Sequence, residues 1–192
     1  MLSTPTLILL HQGKIISINR QMSVMEILNL PAAAGPDSSA PVATTASDPG
    51  TREGLISGPT CIGITADGTI LVLESVNQRV QAFDTGGNPV KLFNNKSDYY
   101  FQLKSESESV FYLDMAVEYA GYIYVLSYGV STGIYRLDIY KPDGAWLSQT
   151  VNVNAGALGL DFWRNVYTLN YEALISRGIT SPSVSLWIPS VP

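Results

Sequence analysis

The side chains able to do chemistry are few and far apart. There is one histidine, His11, and one cysteine, Cys61, among 192 residues. A metal site built from several imidazoles cannot be assembled inside such a chain. Nucleophilic catalysis would need His11 beside Cys61 or a serine, and no Gly-x-Ser-x-Gly elbow is present to expose one. His11 falls near a predicted strand-to-strand turn and reads as a surface or turn residue. Cys61, on a predicted inner strand next to Ile62, reads as a small buried side chain. Glu74, Asp114, Asp138 and Asp161 could in principle ring a calcium ion, but they lie on different predicted strands, and no Asp-x-Asp-x-Asp-Gly loop occurs. Asp67-Gly68 and Asp143-Gly144 are explained by turn geometry alone. The expectation is therefore no catalytic residue, no cofactor, no metal ligand and no enzymatic activity.

The surface chemistry points the same way. Charged residues make up 14% of the chain, against a usual share of about a quarter, while apolar residues make up 46%. A surface this poor in charge is expected to be partly covered by a protein partner. The net charge of −5 and the spread of the eleven basic residues from Lys14 to Arg177 argue against nucleic acid. No apolar run approaches the ~20 residues of a membrane helix, and Met1 to Leu10 lacks a basic n-region, so neither membrane insertion nor a signal peptide is expected. One cysteine leaves the compartment open.

Positioning falls to strands. Apolar spacing runs at period two, in runs of five to eight broken by Gly, Asp, Asn and Pro, which is an all-β pattern. In the clearest unit, residues 58–95, Cys61 to Ile64 leads through a predicted type I′ turn at Asp67-Gly68 to Thr69–Glu74. Arg79–Asp84 and, after Gly86-Gly87, Pro89–Phe93 follow as third and fourth strands. The same order recurs over 110–150, as Leu113–Val117, Tyr122–Ser127, Tyr135–Tyr140 and Ala145–Ser148. A truncated third copy, 155–192, holds Leu158–Phe162, Asn165–Asn170 and Val184–Pro189. Residues 1–30 form a partial copy, with Thr6–Leu10, Lys14–Asn19 and Ser23–Leu28 as second, third and fourth strands and the inner strand missing. Between lies 31–57, rich in Ala, Pro, Ser, Thr and Gly, read as a low-complexity loop between blades. Ile70, Ile123 and Val166 are spaced 53 and 43 residues apart, near the roughly 40 to 50 residues of a propeller blade.

The stretch Gly58-Pro59-x-x-Ile62-x-Ile64-x-x-Asp67-Gly68-x-Ile70-x-Val72-x-Glu74-x-x-Asn77-x-Arg79-Val80-Gln81-x-Phe83-Asp84-x-x-Gly87 resembles the NHL repeat, with Glu74 where an Asp is usual. The resemblance is strongest over residues 58–92. It implies a β-propeller segment of about three and a half four-stranded blades, incomplete on its own. It also implies partners of three kinds: other blades, a second copy of the chain, or a larger assembly. The family it implies includes protein-binding platforms, RNA readers with a basic face and metal-dependent lyases or hydrolases; the low charge, acidic balance and missing strands favour a non-catalytic protein-interaction or scaffold module among them. The alternative is a segment of a metal-dependent lyase or lactone hydrolase whose site other blades complete. Asn77 suits a turn and Arg79 a carboxylate across strands, such as Glu74. The loop Tyr99-Tyr100-Phe101, followed by Lys104 to Ser109, reads either as core or as an aromatic contact patch, with core favoured.

Overall fold

The computed structural model describes residues 6–11, 14–21, 24–29, 43–44, 50–92, 98–153, 155–170 and 183–187. Every regular element among them is a strand. The chain divides into two compact units, Met1–Gln102 and Leu103–Pro192.

Unit 1 holds two four-stranded antiparallel meanders. The first runs β1 (Thr6–His11), β2 (Lys14–Asn19), β3 (Val24–Asn29) and β4 (Ala43–Thr44); the second runs β5 (Pro59–Ile64), β6 (Ile70–Glu74), β7 (Arg79–Phe83) and β8 (Tyr100–Gln102). Alternation puts Ile16, Ile18, Met25 and Ile27 on one face of the first sheet. These pack against Ile62, Ile70, Val72 and Phe83 of the second, with Ile56 between them. Each such burial contributes roughly 1.5–3 kcal/mol, and it pins register, because a one-residue slip would turn the whole set to water. β1 lies against β5, first strand against first strand. The strand expected to be missing from residues 1–30 is thus not the inner one: β1 takes the inner place, and β4 supplies the outermost strand from within 31–57.

Unit 2 repeats the plan. β9 (Val110–Val117), β10 (Ile123–Gly129), β11 (Tyr135–Tyr140) and β12 (Trp146–Val151) form one sheet, and β13 (Ala157–Leu160), β14 (Val166–Asn170) and β15 (Ser183–Trp187) the other. Tyr124, Leu126, Leu137 and Ile139 meet Val166, Leu158 and Leu160 across the gap, and β9 lies against β13.

Two expectations about residues 58–102 are corrected. The outer strand of the β5–β8 sheet is Tyr100–Gln102, not Pro89–Phe93. Pro89 makes only an isolated bridge to Phe83, and the rest of β7's free edge is taken by Tyr99 to Gln102. The Tyr99-Tyr100-Phe101 loop is therefore strand and core, with Phe101 buried beside Val80. The turn at Asp67-Gly68 is not type I′, since only Gly68 has positive φ, at 89°. It is a five-residue hairpin turn in which the first residue's N–H donates to the fifth residue's carbonyl and the fourth residue's N–H to the first carbonyl. Among the described residues the same pattern recurs at 65–69, 84–88, 118–122, 141–145 and 161–165. The fourth position always has positive φ: Gly68, Gly87, Gly121, Gly144 and, in the last turn, Arg164 at 68°.

Candidate interaction surface

The motif residues of unit 1 form a sealed clamp. Register places Glu74 opposite Arg79, and Arg79 Nε donates to Glu74 Oε1 at 2.9 Å with the two side chains only 2% and 0% exposed. Arg79 also donates to the carbonyls of Thr51, Arg52 and Leu55, and its guanidinium lies 4.6 Å from the Tyr100 ring centre. Asn77 Nδ2 reaches Gly50 O and Glu74 Oε2, while Ser57 N–H donates to the same Oε2. Gln81 Nε2 adds Leu55 O and Glu74 Oε1. Burial raises the Glu74 carboxyl above the ordinary range, against the opposing pull of Arg79, Ser57 and Asn77. The clamp fixes residues 50–57 as a lid over the polar end of the sheet face. Gly58, at φ +61°, closes that lid, because a Cβ there would stand 2.5 Å from Val76 Cγ2. An open hollow of about 560 Å³, lined by Thr51, Arg52, Glu53, Leu55 and Tyr100, lies outside it.

The remaining expected carboxylates go to separate places. Asp114 accepts from Met115 N–H and Leu158 N–H. Asp138 accepts from Trp146 Nε1 and Gln149 Nε2, and burial raises its carboxyl. Asp161 caps its own turn, accepting from Trp163 N–H, Asn165 N–H and the Tyr167 hydroxyl. Desolvation raises Asp161's pKa, but these bonds and that from Asn165 Nδ2 outweigh it and leave the group below the ordinary carboxylate range. No group of three or more metal-capable side chains occurs among the described residues. Cys61 is half-buried on β5 rather than fully enclosed. His11 ends β1, paired in register with Lys14. The acids of the Lys104–Ser109 loop face Arg136: Glu108 Oε1 accepts from Nη2 at 2.5 Å, and Glu106 Oε2 lies 3.7 Å from Nε.

Among the exposed apolar side chains of unit 2, which also include Phe111, Val130, Trp146 and Val151, two groups stand together. At the tips of the turns 118–122 and 161–165, Tyr119, Phe162 and Trp163 are each 78% exposed. Tyr119 and Phe162 ring centres are 6.3 Å apart and Phe162 and Trp163 6.1 Å apart. In the same two turns Arg164 Nη2 donates to Glu118 Oε1 at 2.9 Å, its guanidinium 5.5 Å from the Tyr122 ring centre. On the sheet β13–β15, Val166 and Leu158 face the partner sheet. Tyr167, Leu169, Val184 and Leu186 share the opposite face, where Val184 is 67% and Leu186 54% exposed. Sequence reasoning missed both features. It placed Phe162 at a strand end, although the Asp161 and Asn165 flanks are turn formers.

No family model matches the sequence, and no curated protein matches it. Solved structures do. Hsv2 of Kluyveromyces lactis matches at 10% identity with a TM-score of 0.53, over 95% of this chain and 60% of that one. The chain has a β-propeller fold. It thus spans 60% of the length of that Hsv2 chain. A luciferin-regenerating enzyme matches at 10% identity and TM-score 0.42, over 87% of this chain and 69% of that one. Virginiamycin B lyase from Staphylococcus aureus matches at 10% identity and TM-score 0.36, over 97% and 86%. Scores at that level carry no activity over to this chain. They do correct the expectation that it is not an enzyme: proteins named for catalysis stand among its structural neighbours, and its enzymatic status is open.

Proposed function

We propose that this chain is a protein-interaction module on a propeller fold, and that the open face of the β13–β15 sheet docks a sheet of the same kind from a second copy. The observation that carries this is the unequal covering of one sheet. Val166 is fully buried, while its strand neighbour Tyr167 and the paired Leu186 lie in solvent on the other side. Monomeric proteins leave few such patches, and an open antiparallel sheet with an exposed outer strand invites pairing. The first sheet of unit 1 offers a complementary surface, since Ile8 is 65% exposed on its outer side. The NHL-type reading of residues 58–92 belongs to this proposal; the joint engagement of Glu74, Asn77 and Arg79 in one clamp supports it.

Light scattering tests it. The expected mass at micromolar concentration is that of two chains, falling to one in Leu186→Asp with unchanged circular dichroism. A single-chain mass for the unaltered protein across that range overturns the second-copy reading.

A further inference from the structure

We propose that the tips of the paired turns 118–122 and 161–165 seat at the headgroup level of a zwitterionic lipid surface, so that unit 2 docks peripherally on a membrane. The five repeated hairpin turns supply the contrast. All five share one hydrogen-bonded frame, in which the second and third positions form the tip. Three tips carry Ala66-Asp67, Thr85-Gly86 and Pro142-Asp143, while the other two carry Tyr119-Ala120 and Phe162-Trp163. The frame itself does not call for rings, yet Tyr119, Phe162 and Trp163 are each 78% exposed. Exposed rings gathered in one patch mark a contact with something outside the chain.

The two turns hold the rings side by side. Ring centres are 6.3 Å apart for Tyr119 and Phe162 and 6.1 Å apart for Phe162 and Trp163. Arg164 Nη2 on Glu118 Oε1 ties one turn to the other. Arg164 does so from a positive φ of 68°, where the other four turns use glycine and a side chain is strained. The backbone of the second turn is also closed on itself. The N–H groups of Asp161, Trp163, Arg164 and Asn165 all end on acceptors within the turn. A tip that enters a medium poor in water must leave few donors stranded, and this one meets that demand.

That closure favours lipid over a protein partner. A protein interface takes about one hydrogen bond per 100–200 Å², and the turn 161–165 has turned these donors inward. Charge complementarity then selects the kind of lipid. The one cation of the two turns, Arg164, is held by Glu118, and with Asp161 the acids outnumber it. The chain carries −5 overall. An anionic bilayer attracts clustered Lys and Arg, so a zwitterionic surface, with its choline cation outermost, is the better match. Trp and Tyr settle at headgroup level, apolar body toward the acyl chains and polar edge toward water. The seating is shallow and needs no span; no helix long and apolar enough to cross a membrane occurs among the described residues. The site uses none of the exposed side chains Tyr167, Val184 and Leu186, so it stands or falls separately from the second-copy proposal.

The test is cosedimentation of the full chain with phosphatidylcholine vesicles, alone and with phosphatidylserine mixed in. The unaltered chain is expected to pellet with phosphatidylcholine and to gain nothing from phosphatidylserine. Trp163→Ser and, separately, Phe162→Ser should each cut the partition coefficient roughly tenfold, with unchanged circular dichroism. Leu186→Asp should pellet as the unaltered chain does, which separates the rings from the sheet face. No binding to vesicles at millimolar lipid overturns the proposal, as does binding that the ring substitutions leave unchanged or that rises with phosphatidylserine. So does a mass that falls to one chain in Trp163→Ser without any vesicle binding, which would assign the rings to a protein contact.

Discussion

Two glutamate–arginine pairs with the same 2.9 Å contact do different things. Glu74–Arg79 in unit 1 is sealed, and every Arg79 nitrogen finds a carbonyl or carboxylate. Glu118–Arg164 in unit 2 has an arginine side chain 45% exposed, while the Tyr124 hydroxyl stands against the buried carboxylate from the core side. The first pair is a clamp, whose value lies in leaving no charge unmet in a low dielectric. The second is a surface strut that ties one turn to the other, with its arginine half in solvent. Pair distance therefore says little about role; burial and completeness of hydrogen bonding decide it.

The largest expected effect breaks the clamp. Arg79→Met strands the Glu74 charge and releases residues 50–57, costing about 3–5 kcal/mol in urea unfolding. Gly129→Ala comes next. A Cβ there would stand 2.2 Å from Glu108 Oε1 and 2.5 Å from Arg136 Nη1, and forcing that knot apart should cost roughly 1–3 kcal/mol by thermal melting. Arg164→Met should cost less than Arg79→Met, about 1–3 kcal/mol, because the arginine is half in solvent and the Tyr124 hydroxyl stays beside the buried Glu118 carboxylate. A loss equal to that of Arg79→Met would erase the contrast between the two pairs.

The smallest effect is in pH. Hydrogen bonds from Thr132 and Ser131, more than the one from Arg136, hold the Glu108 carboxyl well below the ordinary range. Its contribution is thus fully present above the unfolded glutamate value and disappears as pH falls toward the folded one. Glu74 has the opposite sign, since burial raises it: the stability linked to its proton is present at low pH and lost as pH rises through the folded value. Glu108→Gln should therefore flatten the acid limb of the stability profile while leaving its alkaline side unchanged, as followed by chemical unfolding between pH 3 and 8.

Much of the fold was legible because it is local. Period-two alternation and turn residues placed β2, β6, β7, β10, β11 and β14 within a residue or so, and the cross-strand partnership of Glu74 and Arg79 followed from strand spacing. Two residues, Ala43 and Thr44, were not recognisable as β4, since a strand that short has no period to detect. Tyr100 to Gln102 replaced Pro89 to Phe93 at the sheet edge because proline has no N–H to give a ladder, and β7 had a better donor–acceptor row to meet.

What the residues alone determined was the alternation of faces and the places where the chain turns, set by neighbours a few positions apart; the five-residue form of those turns was not read from them. Tertiary structure alone decided that β1 is an inner strand, that one side of Val166 is covered and the other open, that Tyr119 meets Phe162, and that Arg164 reaches Glu118. Those residues are more than forty positions apart in the chain, and only the packing of one sheet on the next brings them together.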